Sequence, residues 1–160
     1  MTKTYLVACI FIIIDYVSKI LVSTFIPLNK SVSLLGNFLK ITYVKNTGTA
    51  FSMFSNYTYF IAFISAIVIL LLLYYVYKKD KISSLEGLCY GLIIGGATGN
   101  LIDRIIYGYV IDFIEVNIFN YPYPIFNLAD SFIVVAFIIL VIMEIKKDIL
   151  AKKTKKKYNN

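Results

Sequence analysis

The chain has 160 residues, of which 59% are hydrophobic and 16% charged, with a net charge of +7 and a mean hydropathy of +0.78. A water-soluble domain of this length carries more charge and fewer long apolar runs, so the composition excludes that class. The sequence has no histidine, which removes the commonest metal ligand and the usual base of a serine or cysteine triad.

Four apolar stretches are long enough to cross a bilayer as helices, which takes about 20 residues each. They use more than half of the chain, so we predict a single membrane-embedded domain over residues 1–160. The first stretch carries Asp15 and Lys19 and lacks a small-residue cleavage site before Pro27, so we expect it to be retained and not removed as a signal peptide. The predicted helices are residues 4–26, 57–77, 85–106 and 126–146.

Positive charge is distributed unevenly between the loops. Eleven of the sixteen lysines and arginines lie near the N-terminus, between helices 2 and 3, or in the tail from Lys146 to Lys157, whereas the loops 27–56 and 107–125 hold only three. Cytoplasmic loops carry the excess of such residues. We therefore expect both termini to be cytoplasmic and the two long loops, with any functional groups that they carry, to face the extracytoplasmic side. The basic tail is expected to face anionic lipid and not nucleic acid.

Residues 28–56 mix β-branched and aromatic residues with turn residues at Gly36-Asn37 and Asn46–Gly48, which is typical of two or three short strands. We expect a small extracytoplasmic β-sheet, or cradle, that could hold an extended peptide. The connector 107–125 is aromatic and apolar, with only two charges, and is predicted to be an outer loop at the membrane interface. The predicted fold is an all-α polytopic membrane protein of four transmembrane helices, with a small extracytoplasmic β-sheet and an aromatic outer loop.

The third stretch contains glycine at every fourth position over Gly87–Gly99, with Gly96 beside this stripe. Such a stripe lets a neighbouring helix approach closely, so we interpret it as a packing surface. The stripe continues toward Asn100, Asp103 and Arg104, and the close packing should therefore end at polar groups near the outer surface.

Ionisable groups inside membrane spans are costly, and each is therefore a candidate functional group. Asp15 and Lys19 lie one helical turn apart and could form an internal ion pair or could orient groups of the active site; both interpretations stay open. We favour a supporting role for Asp103. Arg104 suits a carbonyl, a carboxylate or a lipid phosphate, because its donors form a rigid fork.

Asp112 and Asp130 are the best candidates for the catalytic centre. Asn127 suits a helix N-cap, which puts Asp130 at the third helical position, where capping alone would explain it. Asp112 has no such explanation. Two carboxylates brought together share a proton, as in an aspartic protease, where the ionised member activates water and the protonated member polarises the carbonyl. Because a helix N-terminus favours the charged form, we predict Asp130 as the base and Asp112 as the acid.

Two other functional classes remain as alternatives. A metal-dependent lipid transferase could hold Mg²⁺ through clustered aspartates, although Asp103, Asp112 and Asp130 are not spaced on adjacent helical turns. A transporter or channel subunit could use Asp15 and Lys19 as a relay. Full activity in EDTA would argue against the first class, and loss of activity on changing Asp112 would argue against the second.

Five motifs follow one another along the chain. They are Asp15-x-x-Ser18-Lys19, Asn46-Thr-Gly-Thr-Ala-Phe-Ser52, Gly95-Gly-Ala-x-Gly99-Asn100-x-x-Asp103-Arg104, Val110-Ile-Asp112-Phe113 and Phe126-Asn127-x-Ala129-Asp130. In order and spacing, the chain resembles the bacterial lipoprotein signal peptidases (signal peptidase II), which are membrane aspartic proteases.

The resemblance implies an endopeptidase of the bacterial cell membrane that removes the signal peptide from diacylglyceryl-modified prolipoproteins, cutting just before the lipidated cysteine. It implies that Asp112 and Asp130 form the catalytic dyad, and it implies no metal or organic cofactor. Beyond the substrate and membrane lipid we expect no partner, neither nucleic acid nor a second subunit. The residues that it implies as substrate-binding or supporting are Asp15, Lys19, Asn46, Gly99, Asn100, Asp103, Arg104, Asn127 and Ala129.

Overall fold

A computed structural model of the chain describes residues 2–48, 57–119 and 121–158. Motif positions 49–52 lie outside these residues. The helices are α1 (Thr2–Phe25), α2 (Thr58–Lys78), α3 (Ser84–Tyr107) and α4 (Leu128–Tyr158), and the strands are β1 (Ser31–Leu35), β2 (Leu39–Asn46), β3 (Val110–Ile118) and β4 (Tyr121–Pro122).

All four helices are long and apolar enough to cross a membrane. The first three lie within about two residues of their predicted bounds, but α4 runs on to Tyr158, well past the predicted end at residue 146. Hydropathy falls where the lysines begin, yet the segment has no glycine or proline and consists mainly of good helix formers, so the helix continues. The basic tail is therefore a helical extension of α4.

Helix α3 lies at the centre of the bundle and contacts each of the other three helices. About 56% of its most apolar stretch is buried inside the protein, against 17% or less for the other spans. The glycine stripe explains this position: a Cβ on Gly95 would lie 2.8 Å from the backbone oxygen of Ala8 in α1, and one on Gly96 would lie 2.7 Å from that of Ala129 in α4. The packing interpretation of the stripe is confirmed.

The two ends of α3 are fixed by different means. At the start, Ser83 and Glu86 form a reciprocal capping box. The Glu86 Oε1 atom also accepts hydrogen bonds from Lys79 Nζ at 3.2 Å and Lys147 Nζ at 2.8 Å, which joins α3 to the end of α2 and to α4. At the other end the chain turns through Gly108, whose φ of 74° lies in the left-handed region that glycine adopts without strain.

The sheet consists of β1, β2 and β3 in antiparallel order, with the two-residue β4 paired to β3. The connector predicted as an aromatic loop thus contains a nine-residue strand. Beside a membrane, an unpaired strand edge is unfavourable, and β3 satisfies the free edge of β2. The aromatic segment is therefore a strand because it pairs with β2, about 70 positions earlier in the chain.

The register of β2 against β3 decides which residues face the site. Val44 pairs with Asp112 and Asn46 pairs with Val110, and because alternate residues share a face, Asn46 and Asp112 lie on the same side of the sheet. The neighbouring residues Ile111 and Phe113 are buried, and the cluster that they form includes Val22 and Ile26 near the end of α1. This packing holds the start of β3, and with it Asp112, against the end of α1.

Candidate active site

A buried ammonium group lies at the base of the site. Lys19 Nζ in α1 donates to Asp15 Oδ2 at 2.6 Å, lies 2.9 Å from Asp103 Oδ2 and donates to Asn100 Oδ1 at 2.9 Å. All four residues are less than a tenth exposed. The i,i+4 pair considered from the sequence is therefore present, and its cation is shared with two residues of α3.

The carboxylates around this cation reach two further elements. Asp15 Oδ1 accepts the backbone N–H of Ala129 at 3.1 Å, which satisfies one of the amides that the first turn of a helix leaves unpaired. Asp103 Oδ2 accepts the backbone N–H of Ile111 at 3.4 Å. A Cβ on Gly99 would lie 2.5 Å from Asp15 Oδ2, so this position has no room for a larger residue. The ion cluster joins α1, α3, α4 and β3 at one point.

Asp112 is fixed by two asparagine amides. Asn46 Nδ2 donates to its Oδ2 at 2.8 Å, and Asn127 Nδ2 donates to its Oδ1 at 2.7 Å. Only 2% of Asp112 is exposed. Each carboxyl oxygen therefore has a directed donor, and the side chain cannot rotate without losing both bonds.

Asp130 is fixed by a third amide and by the start of α4. Asn100 Nδ2 donates to its Oδ1 at 2.8 Å, and the backbone N–H of Asn127 donates to its Oδ2 at 3.3 Å. The Asp130 N–H in turn donates to Asn127 Oδ1 at 3.0 Å. Asn127 is thus the N-cap that the sequence predicts, in a reciprocal pair with Asp130.

Asn127 and Asn100 connect the two carboxylates. Asn127 Nδ2, which donates to Asp112, also donates to Asn100 Oδ1 at 3.1 Å, while the amide nitrogen of Asn100 donates to Asp130. The oxygen of Asn100 accepts a bond from Lys19 as well. One continuous set of hydrogen bonds therefore runs from the buried cation to both aspartates.

Arg104 lies beside this network and is itself buried. Its Nη2 donates to the backbone oxygen of Gly48 at 2.9 Å, and its Nη1 donates to that of Asn100 at 3.4 Å. Within the described parts of the chain its Nε has no hydrogen-bond partner. The carbonyl contact predicted for Arg104 is made here to the chain's own turn after β2, residues 47–48.

The surroundings of Asp112 change its acidity. The pKa of Asp112 is raised to about 6; burial is the largest cause, and the hydrogen bond from Asn46 opposes the rise. The negative charge of Asp130 contributes to the rise in the pKa, whereas the Asn127 bond and the charge of Lys19 oppose it. A raised pKa of Asp112 and an electrostatic interaction with Asp130 are both features that a pair sharing a proton requires.

The structure brings together both candidate aspartates and every supporting residue singled out from the sequence. Two other polar residues, one in the first motif and one in β3, lie outside this network. The Ser18 hydroxyl donates to the backbone oxygen of Asp15 at 2.7 Å, a bond local to α1. Glu115, an outer acid in the same connector as Asp112, is bonded to Thr42 and lies 3.9 Å from Lys40.

Sequence reasoning missed two contacts of the site, the Gly48 carbonyl described above and a hydrogen bond from the Thr58 hydroxyl to the backbone oxygen of Thr47 at 2.5 Å. Gly48 lies inside the second motif, which could have directed attention to it. Nothing in the sequence pattern marks Thr58, which is an ordinary polar residue at the start of an apolar helix. In the described residues no group of three or more His, Cys, Asp or Glu side chains is arranged to hold a metal ion.

Comparisons with known proteins give a consistent result. The family model described as signal peptidase (SPase) II matches residues 7–146. A bacterial membrane enzyme solved by the in meso method at 2.3 Å resolution is 33% identical, with a TM-score of 0.85 over 92% of this chain and 90% of that one. A second, solved by the same method at 1.9 Å, is 34% identical, with a TM-score of 0.82 over 91% of this chain and 94% of that one.

The buried cation can be tested through stability. Lys19→Met removes the charge that neutralises Asp15 and Asp103, and loss of one partner from a buried ion pair costs about 3–5 kcal/mol. We expect the free energy of unfolding in detergent to fall by that amount. Lys40→Met is the matched control, because its pair with Glu115 is long and partly exposed and should contribute about 0–1 kcal/mol. Equal losses in the two variants would contradict a central role for Lys19.

Proposed function

The chain belongs to the signal peptidase II family, the aspartic proteases that cleave the signal peptides of lipoproteins, and on that basis we propose that Asp112 and Asp130 are its catalytic pair. The observation that supports the pair best is the asparagine network, in which one side chain, Asn127, bonds to both aspartates. Positioned amide donors, from Asn127 to Asp112 and from Asn100 to Asp130, hold both carboxylates ready before substrate binds.

In the proposed reaction Asp130 is ionised and Asp112 is protonated. Water attacks the carbonyl carbon of the scissile peptide bond and gives a proton to Asp130, while Asp112 protonates the carbonyl oxygen. When the C–N bond breaks, Asp130 passes its proton to the leaving nitrogen and Asp112 regains a proton from the hydroxyl of the intermediate. The raised pKa of Asp112 and the position of Asp130 in the first turn of α4 support these roles.

We propose that the substrate is a prolipoprotein whose cysteine already carries diacylglycerol, with cleavage just before that cysteine. The depth of the site supports this substrate. Asp15, at the base of the cluster, lies ten residues before the end of α1, or roughly 15 Å along the helix. Acyl chains in the bilayer would hold the cleavage site at that level. Arg104, whose guanidinium already contacts backbone carbonyls beside the dyad, is of the residue type suited to hold a substrate carbonyl there.

The protein is a multi-pass membrane protein, and we propose that both termini are cytoplasmic and that the dyad faces the extracytoplasmic side. Glu86, with its partners Lys79 and Lys147, lies 17 positions before Asp103 along α3, or roughly 26 Å away at the helical rise. The lysines thus lie near one end of the bundle and the aspartates near the other. This separation supports an orientation with the lysines on the cytoplasmic side. We also propose that it acts as a monomer, since one chain supplies every residue of the site described above.

Replacing either aspartate tests the dyad. Asp112→Asn and Asp130→Asn should each lower kcat by at least about 10²–10⁴, the usual effect of losing a general acid or base. The assay is cleavage of a diacylated precursor in detergent. Asp80→Asn, in the exposed turn between α2 and α3, is the control and should retain full activity. Near-normal cleavage by Asp112→Asn would rule out the proposed pair.

The pH dependence tests the assignment of acid and base. Asp112 must be protonated to act as the acid, and its pKa is about 6. We therefore expect kcat/KM to fall as the pH rises through about 6, by up to about tenfold per pH unit. Asp80→Asn should keep the same profile. A kcat/KM that increases over this range would assign the basic role to Asp112.

The lipid requirement tests the substrate class. A diacylated precursor should be cleaved with a kcat/KM at least about tenfold higher than the same peptide without lipid, because the bound acyl chains place the scissile bond at the dyad. Asp130→Asn should lose cleavage of both. Equal rates on the two substrates by the unaltered protein would contradict recognition through the lipid while leaving the dyad intact.

A further inference from the structure

The end of β2 and the short turn that follows it, residues 46–48, supply two groups to the site. Asn46 Nδ2 donates to Asp112 Oδ2 at 2.8 Å, and the Gly48 carbonyl accepts a hydrogen bond from Arg104 at 2.9 Å. The turn is closed by the Gly48 N–H, which donates to Asn46 Oδ1 at 2.9 Å. The orientation of the Asn46 amide therefore depends on where this turn is held.

Thr58, the first residue of α2, forms a hydrogen bond to this turn. The Thr58 hydroxyl donates to the backbone oxygen of Thr47, the residue between Asn46 and Gly48, at 2.5 Å. Thr58 is 6% exposed. The bond joins positions eleven apart and connects the start of α2 to the turn that contacts Asp112 and Arg104.

The direction of this bond argues against a simple helix cap. A threonine that stabilises a helix start normally does so as the N-cap, accepting an N–H of the first turn. Here the N-cap position is Tyr57, which makes no side-chain cap bond. The Thr58 hydroxyl instead donates a hydrogen bond to a carbonyl outside the helix. The bond therefore stabilises the turn and does not pair any of the free amides at the start of α2.

We propose that Thr58 is a positioning residue for the reaction: through Thr47 its hydroxyl fixes the turn that aims Asn46 at Asp112. This inference rests on the proposed catalytic role of Asp112. Thr47 is an exposed residue and its bond to Thr58 is only part-buried, so removing the hydroxyl does not leave a deeply buried carbonyl unpaired. The main consequence of losing the bond is then a displaced Asn46 amide and not an unfolded protein.

The pH profile carries a signature of this role. The Asn46 bond lowers the pKa of Asp112 against the effects of burial and of Asp130. A loosened Asn46 should therefore move the pKa of Asp112 above about 6. The other charged groups that act on Asp112 are Asp130 in α4, Lys19 in α1 and Arg104 in α3, and a change at Thr58 removes none of them.

The test uses the full-length protein in detergent with a diacylated precursor and the variants Thr58→Val and Thr58→Ser. Thr58→Val keeps the shape and removes the donor. It should lower kcat by about 10- to 100-fold, since a misplacement of about 1 Å can cost 100-fold, with KM little changed. The decline of kcat/KM with pH should also shift to higher pH. Thr58→Ser should restore both properties, and Thr154→Val, which removes an exposed hydroxyl of α4, should change neither.

A double-variant cycle shows whether Thr58 acts through Asn46. In an Asn46→Ala background, Thr58→Val should have no further effect on kcat, because coupled residues are non-additive. Additive losses with an unmoved pH profile would mean that Thr58 is only structural and would overturn the inference. If Thr58→Val does not fold, comparison of Thr58→Ala with Thr58→Ser decides by the same criteria.

The outcomes also separate this inference from the proposed function. If Asp112→Asn is inactive while Thr58→Val has normal kcat and a normal pH profile, the positioning role alone fails. If Asp112→Asn retains activity, the proposed dyad fails, and the inference fails with it.

Discussion

A single buried ammonium group determines how the rest of the molecule is arranged. Lys19 faces Asp15 and Asp103 at 2.6 and 2.9 Å, and burying any of the three without the others would be strongly unfavourable. The two carboxylates use their remaining capacity on the backbone of Ala129 and Ile111. The need to satisfy one charge inside the membrane therefore also fixes the start of α4 and the start of β3, which carry the two candidate catalytic aspartates.

The polar network above this cation is built from asparagines, whose amides donate and accept at once. Asn127 makes three of these bonds with one side chain: its oxygen caps α4, and its nitrogen donates to both Asp112 and Asn100. Helix stability and the geometry of the site depend on the same side chain. The glycines of α3 make this possible, because close backbone approach brings α1 and α4 within reach of Asn100.

The sequence predicts those features whose cause is local. Apolar runs locate the four spans, and the cost of charge in a membrane singles out Asp15, Lys19 and Asp103. Non-local features are harder to predict. The segment around Asp112 is a strand only because β2 pairs with it, and the Thr58 bond depends on where the turn after β2 meets α2. The helical continuation of α4 was missed because hydropathy identifies where a membrane span ends and not where a helix ends.

The unbroken helix α4 has a further consequence for the depth of the reaction. Asp130 and Lys146 lie 16 positions apart on one helix, roughly 24 Å at the helical rise. The hydrocarbon core of a bilayer is about 30 Å thick. If the lysines lie at one boundary, Asp130 lies within the hydrocarbon core, short of the opposite boundary. Bilayer thickness then governs whether a membrane-bound peptide and the carboxylate meet at the same level.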